Sequence, residues 1–218
     1  MPSPVEISFT LLSDGSSDRA LMPILTWLLR DLGVASAISQ SWADLRRIPR
    51  PPRTLADRIR SAVELYPCQL LFVHRDAERE PPESRRIEIY SAVQQAFAMR
   101  TPVPKPIAVV PVRMQEAWLL FNERAIRSAS GNPNGRDALE LPRPSEIERA
   151  PDPKQRLYET LKLASGLRGR RLDQFHLPPL PHRLAELTSD FAHLRDLSAF
   201  RALEADLRQT LQDLDWIN

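Results

Sequence analysis

The chain has 218 residues, enough for one large domain or one domain with an appendage, and its 42% hydrophobic and 27% charged content is globular in character. A formal charge of +2 gives no overall field for nucleic acid, and no apolar run reaches the length of a membrane span. The start MPSPVEISFTLL lacks a signal peptide's basic flank and cleavage site, and the single Cys68 excludes an internal disulfide, so a cytoplasmic protein is expected.

Val5 to Leu12 reads as a first strand, followed by the turn Ser13-Asp14-Gly15-Ser16-Ser17. Ser16 or Ser17 is placed to cap a helix with Leu21, Ile24, Leu25, Leu28 and Leu32 on one face, closed by Gly33. Pro23 within it predicts a kink or a late start. Val34 to Trp42 is a weaker second strand, and the arginine-proline segment after it reads as an exposed loop. Thr54 with Asp57 three residues on resembles a capping box, and Leu55, Ile59, Ala62, Val63 and Tyr66 mark a second helix.

Leu70-Leu71-Phe72-Val73 is an unbroken apolar run, as expected of a strand buried on both faces in a parallel sheet. Pro81-Pro82 then leads into a helix over about residues 83 to 100, with Ile87, Tyr90, Val93 and Phe97 inward. Ile107 to Val112 is the fourth strand, with Pro111 pointing to an edge position or an early end. A short helix over Met114 to Leu120 follows, in which Trp118 is expected in the core. Ser128 to Pro153 is rich in Gly, Pro and Asn and reads as a mobile loop or linker. Asp152-Pro153 starts a helix through Leu157, Leu161 and Ala164, and a last helix covers about residues 196 to 213. Its apolar face must pack on the sheet or on a partner.

Strands alternating with helices imply a mostly parallel α/β sheet of about four strands, flanked by helices, with a helical C-terminal extension. Acids stand just beyond three of the strands: Asp14, then Asp76 with Glu78, then Glu116. Ligands of open α/β sheets bind at those strand ends, and clustered carboxylates there suit Mg²⁺ or Mn²⁺. Two such ions stabilise the attacking and leaving oxygens of a phosphoryl transfer. Asp14, Asp76 and Glu78 are the expected metal ligands, and these three with Glu116 the expected catalytic residues. Because like charges repel, the substitution Asp76→Asn is expected to leave metal-free stability equal or higher. Arg46, Arg47, Arg50 and Arg53 form a basic run suited to a phosphate backbone. His74 beside Asp76 reads as a strand-end histidine with a backbone partner.

Two motifs carry a family resemblance. Leu12-Ser13-Asp14-Gly15-Ser16-Ser17-Asp18, then Val73-His74-Arg75-Asp76-Ala77-Glu78, resembles the Toprim domain of topoisomerases, primases and the overcoming-lysogenization-defect nucleases. Val110 to Leu120, with Pro111-Val112 and Glu116-Ala117-Trp118-Leu119, and the helix start Asp152-Pro153-Lys154 are similar to blocks of small stand-alone Toprim-like proteins. The resemblance spans roughly residues 5 to 165 and implies a Toprim-like (Rossmann-like) fold, with residues 1–127 as that α/β domain and 128–218 as a loop plus helical extension packed on it or on a partner. It also implies a Mg²⁺- or Mn²⁺-dependent nuclease or related phosphotransfer enzyme, Lys154 at a phosphate, and an ATPase partner in antiphage defence.

The chain departs from that pattern twice, with Asp14 where the family has Glu and Glu78 where it has Asp. An acid or base one methylene shorter no longer reaches the same proton. The nuclease or phosphotransfer enzyme is the leading expectation, and the departure at Asp14 slightly favours the alternative, a catalytically inactive adaptor or sensor that binds a partner ATPase. A phosphoacceptor receiver with Asp76 as acceptor wants a Lys after a fifth strand, whereas Lys105 precedes the fourth. The expected partners are therefore nucleic acid, DNA or RNA, and an ATPase, with no membrane; a homo-oligomer stays open.

Overall fold

The computed structural model describes residues 5–98, 103–149 and 151–217, and for Arg47, Pro144 and Ser145 the backbone alone. Four strands, β1 (Glu6–Leu12), β2 (Ala37–Trp42), β3 (Leu70–His74) and β4 (Lys105–Val109), form one all-parallel sheet in the order β2-β1-β3-β4. Leu11 sits beside Phe72 and Phe72 beside Ile107, so the two central strands stack their apolar residues in register. All five β3 residues are buried, as the unbroken apolar run demands.

The strand order fixes where the helices go. From β1 the chain moves outward to β2, then returns past β1 to β3 and on to β4. Right-handed crossovers therefore put α1 (Leu21–Asp31) on one face, and α2 (Leu55–Leu65) and α3 (Pro82–Phe97) on the other. Leu21, Ile24, Leu25 and Leu28 of α1 accordingly bury against Phe9, Leu11 and Phe72, whereas Ile59 and Ala62 of α2 and Ile89 and Val93 of α3 bury against Leu12, Leu71 and Val73. A 3-10 turn, Ser16–Ala20, precedes α1, so Pro23 falls in the helix's first turn, where its missing N–H costs nothing. Gly33 ends the segment with φ of 101°.

The helix α3 packs three of its four expected residues, Tyr90, Val93 and Phe97, against the core and departs from expectation at Ile87. Ile89, Ala92, Val93 and Ala96 are buried and Ile87 is 62% exposed. Apolar residues occur at 87, 89 and 90, so periodicity leaves two faces open, and packing on α2 and β4 selects the one through Ile89. The strand β4 ends at Val109 on the sheet edge, as Pro111 suggested, and the edge also admits Pro106 within the strand.

The stretch after Ser128, expected as a loop or linker, is instead packed. Here α4 (Glu123–Ala129) is capped by Asn122 and followed by a short α5 (Pro144–Ile147), while Leu139 and Ile147 bury in the core. Asp152 caps α6 (Pro153–Ser165), its side chain accepting from the Gln155 amide at 2.8 Å. A one-turn α7 (Arg170–Asp173) leads to α8 (Leu180–Leu187) and the last helix, α9 (Ser198–Asp213). The residues of α4, α6, α8 and α9 join the α1 side of the sheet in one hydrophobic cluster. Edge-to-face contact of Trp118 with Phe200, 5.4 Å between centroids, ties α9 to the segment after β4, and Trp27 against Phe191 at 5.8 Å ties α1 to the C-terminal helices. Among the described residues no helix is long and apolar enough to cross a membrane.

Candidate functional site

The order β2-β1-β3-β4 reverses direction between β1 and β3, and the crevice beyond their carboxyl ends is the sheet's topological switch point. Asp14 leaves the end of β1 and Asp76 leaves the end of β3, so the strand order brings these two predicted residues to one crevice. Their surroundings differ. Asp14 is half exposed and faces two cations: Arg58 of α2, which also donates to the Ser13 carbonyl at 2.7 Å, and Arg75, whose Nε lies 3.6 Å away.

Asp76 belongs to a buried ring that the strand pattern alone does not reveal. Its Oδ1 accepts from the Gln115 amide at 3.0 Å and lies 3.2 Å from Nε2 of His74. On the other side of the imidazole, Nδ1 sits 3.5 Å from Asp18 Oδ2, an ion-pair separation without hydrogen-bond alignment. Gln115 closes the ring by donating from Nε2 to Asp18 Oδ1 at 2.8 Å. Asp18 also accepts from the Gly15 amide at 2.8 Å and the Ser17 hydroxyl at 3.1 Å. The ring thus joins the turn after β1, the end of β3 and the 3-10 turn after β4.

His74 is 3% exposed, and such burial by itself disfavours charge. Hydrogen bonding and the charges of Asp18 and Asp76 outweigh it and push the imidazole up to about 9, so His74 is a cation at neutral pH. Burial likewise pushes the Asp18 carboxyl upward, but His74, the Gly15 amide and the Ser17 hydroxyl hold it below the usual carboxylate range. Glu116 is buried nearby; burial raises its carboxyl, the charges of Asp76 and Asp18 add to that, and its own backbone amide and Lys154 oppose it.

Glu78 stands apart from the ring. Its backbone is left-handed, its side chain is 66% exposed, and its nearest cation is Arg85 at 4.0 Å. Arg46 and Arg53 line a cleft of about 340 Å³ beside Asp14, together with Trp42, Asp44 and Arg58. Arg50 is exposed between β2 and α2, Lys154 is exposed in the first turn of α6, and the Arg47 side chain lies outside the described residues.

No three His, Cys, Asp or Glu side chains gather where one ion could be held, among the described residues. The reason is visible in the contacts: Arg58 and Arg75 neutralise Asp14, His74 lies between Asp18 and Asp76, and Glu78 turns toward Arg85. As arranged, these side chains do not fit Mg²⁺ or Mn²⁺. Sequence reasoning passed over Asp18 and Gln115 and expected His74 to have a backbone partner. The available signal was His74 itself, a polar residue continuing a fully buried strand, which must find a partner for its ring nitrogens.

The fold and the placement of this crevice define a Rossmann-like α/β protein with its candidate site at the switch point. Comparison with protein-family models, curated proteins and solved structures finds no match to the chain.

Proposed function

We propose that this chain is a Toprim-like protein that binds nucleic acid at the carboxyl edge of its sheet and acts there as an adaptor or sensor for a partner ATPase, without a resident metal. The observation that carries the reading is the charge pattern at the switch point. Asp14, Asp18 and Asp76 each already face a cation of the chain, while three guanidiniums, from Arg46, Arg53 and Arg58, line the adjoining cleft against the two carboxylates of Asp14 and Asp44. Arg53 has no acidic partner among the described residues, which leaves it open to a phosphate.

Binding of labelled DNA and RNA at several salt concentrations tests this. The Arg46, Arg50, Arg53→Ala triple variant is expected to bind every sequence more weakly and with a flatter salt dependence, since phosphate contacts carry no base information. Unchanged affinity and slope would make the run a solvated face.

A second reading, a Mg²⁺- or Mn²⁺-dependent nuclease serving an ATPase-linked antiphage system, draws on one observation. Asp14 and Asp76 end adjacent strands, and Asp14 is accessible enough to exchange its arginines for another cation. That reading predicts metal-dependent cleavage and a metal-induced rise in melting temperature, both lost in Asp76→Asn; the adaptor reading predicts neither.

A further inference from the structure

Trp42 is the last residue of the edge strand β2, and its indole is held in an unusual way. Nε1 donates to Ser13 Oγ at 2.9 Å, which pins the ring edge to the turn beyond β1. Two guanidiniums lie over the ring, Arg19 at 5.7 Å and Arg46 at 5.3 Å from its centroid. Asp44 fixes the second of these, accepting from Arg46 Nε at 3.0 Å, and the Arg46 side chain is still 57% exposed. An indole serving only to fill the core would be sealed by apolar neighbours. This one is roofed by a solvent-facing cation and lines the cleft of about 340 Å³ that also holds Arg53 and Arg58.

We infer that Trp42 and Arg46 form a stacking platform for one unpaired nucleobase, and that the preferred ligand is single-stranded nucleic acid. The inference rests on the proposed nucleic-acid reading and deepens it. Bases stack on aromatic rings and on guanidinium planes alike, so a base entering the cleft lies on Arg46, backed by Trp42, or replaces Arg46 on the ring. In either arrangement its phosphate falls to Arg53, which lines the same cleft and has no acidic partner among the described residues. Paired bases inside a duplex present no face to such a platform. Selection of single strands therefore follows from geometry, with no base-edge recognition required.

The test is fluorescence anisotropy with three labelled probes of equal phosphate number: a single-stranded oligonucleotide, a duplex of half its length, and an abasic strand. The wild-type protein is expected to favour the base-bearing single strand over both others. Trp42→Leu keeps an apolar side chain against the core but removes the ring, and Trp42→Phe keeps a smaller ring. Leucine should weaken binding of the base-bearing strand roughly 5- to 150-fold, the usual worth of one stacked base, while binding of the abasic strand stays the same and phenylalanine recovers most of the loss. Equal wild-type affinity for abasic and base-bearing strands would overturn the inference, as would an equal loss on both probes in Trp42→Leu. Binding to none of the three probes would instead remove the nucleic-acid reading beneath it.

Discussion

The Glu78 amide donates to the Arg113 carbonyl at 3.0 Å, and both residues hold left-handed backbone, with φ of 54° and 63°. The bond continues the pairing of β3 with β4 past the formal strand ends, after Arg75 to Val109 and Ala77 to Pro111. Two side-chain-bearing residues in that region store strain of about 1 kcal/mol or more each. Replacing either by glycine is expected to leave stability equal or up to about 1 kcal/mol higher, and replacing either by valine to lower it by more than that. Denaturant midpoints of the four variants check this; a glycine variant clearly less stable than wild type would show that the side chains, not the backbone bond, hold the strand ends.

His74 sets a pH dependence. Its folded pKa of about 9 lies above the ordinary 6.5, so its ion pairs contribute in full below about pH 6.5 and are lost as pH rises through 9. The span corresponds to roughly 3 kcal/mol. Chemical denaturation at pH 6 and pH 9.5 should show a drop of that order, and a smaller one in His74→Gln. The same drop in both proteins would assign it to other groups.

How much of this could be read in the sequence depends on the range of the interaction. The β3 run, the apolar stripe of α1 and the Asp152 cap are local patterns, and each appears where expected. Asp14 and Asp76 were found because both follow strands. The ring of Asp18, His74, Asp76 and Gln115 was not found, since its longest link joins residues 97 positions apart and exists only once the strand order is known. Leu139 and Ile147 show the opposite failing: they are buried by tertiary packing in a stretch too sparse in apolar residues to show a period.

Phe200 is the largest of the residues by which α9 packs on the core, with Leu203, Leu207 and Leu211 buried beside it. Phe200 is fully buried, with its ring edge-to-face on Trp118 and tilted against Trp27. Phe200→Ala should cost about 3–5 kcal/mol by cavity formation. If α9 shares one core with the sheet, the variant unfolds in a single transition at lower denaturant; a separate early transition for the C-terminal helices would show that they are stabilised independently.

Asp76→Asn should change stability in the direction opposite to that expected from sequence. A cluster of repelling acids should gain from losing one charge, so Asp76→Asn was expected to be neutral or stabilising. The structure instead places the His74 cation between Asp18 and Asp76 and leaves Gln115 hydrogen-bonded to both. Asparagine keeps the size and an oxygen for the Gln115 amide, but it removes half of the negative charge that compensates a buried imidazolium. A hydrogen bond to a charged partner exceeds a neutral one by about 1 kcal/mol, so the variant should lose about that much, or roughly 2–4 °C in melting temperature. The His74 pKa, followed by NMR, should fall in the same variant. Asp14→Asn is the control: that carboxylate is half exposed, and its loss should change stability by no more than about 0.5 kcal/mol. An Asp76→Asn protein as stable as wild type at neutral pH, with the His74 titration unmoved, would mean that the imidazole does not compensate that acid. The metal-dependent reading would then regain Asp76 as a carboxylate without a cation of its own.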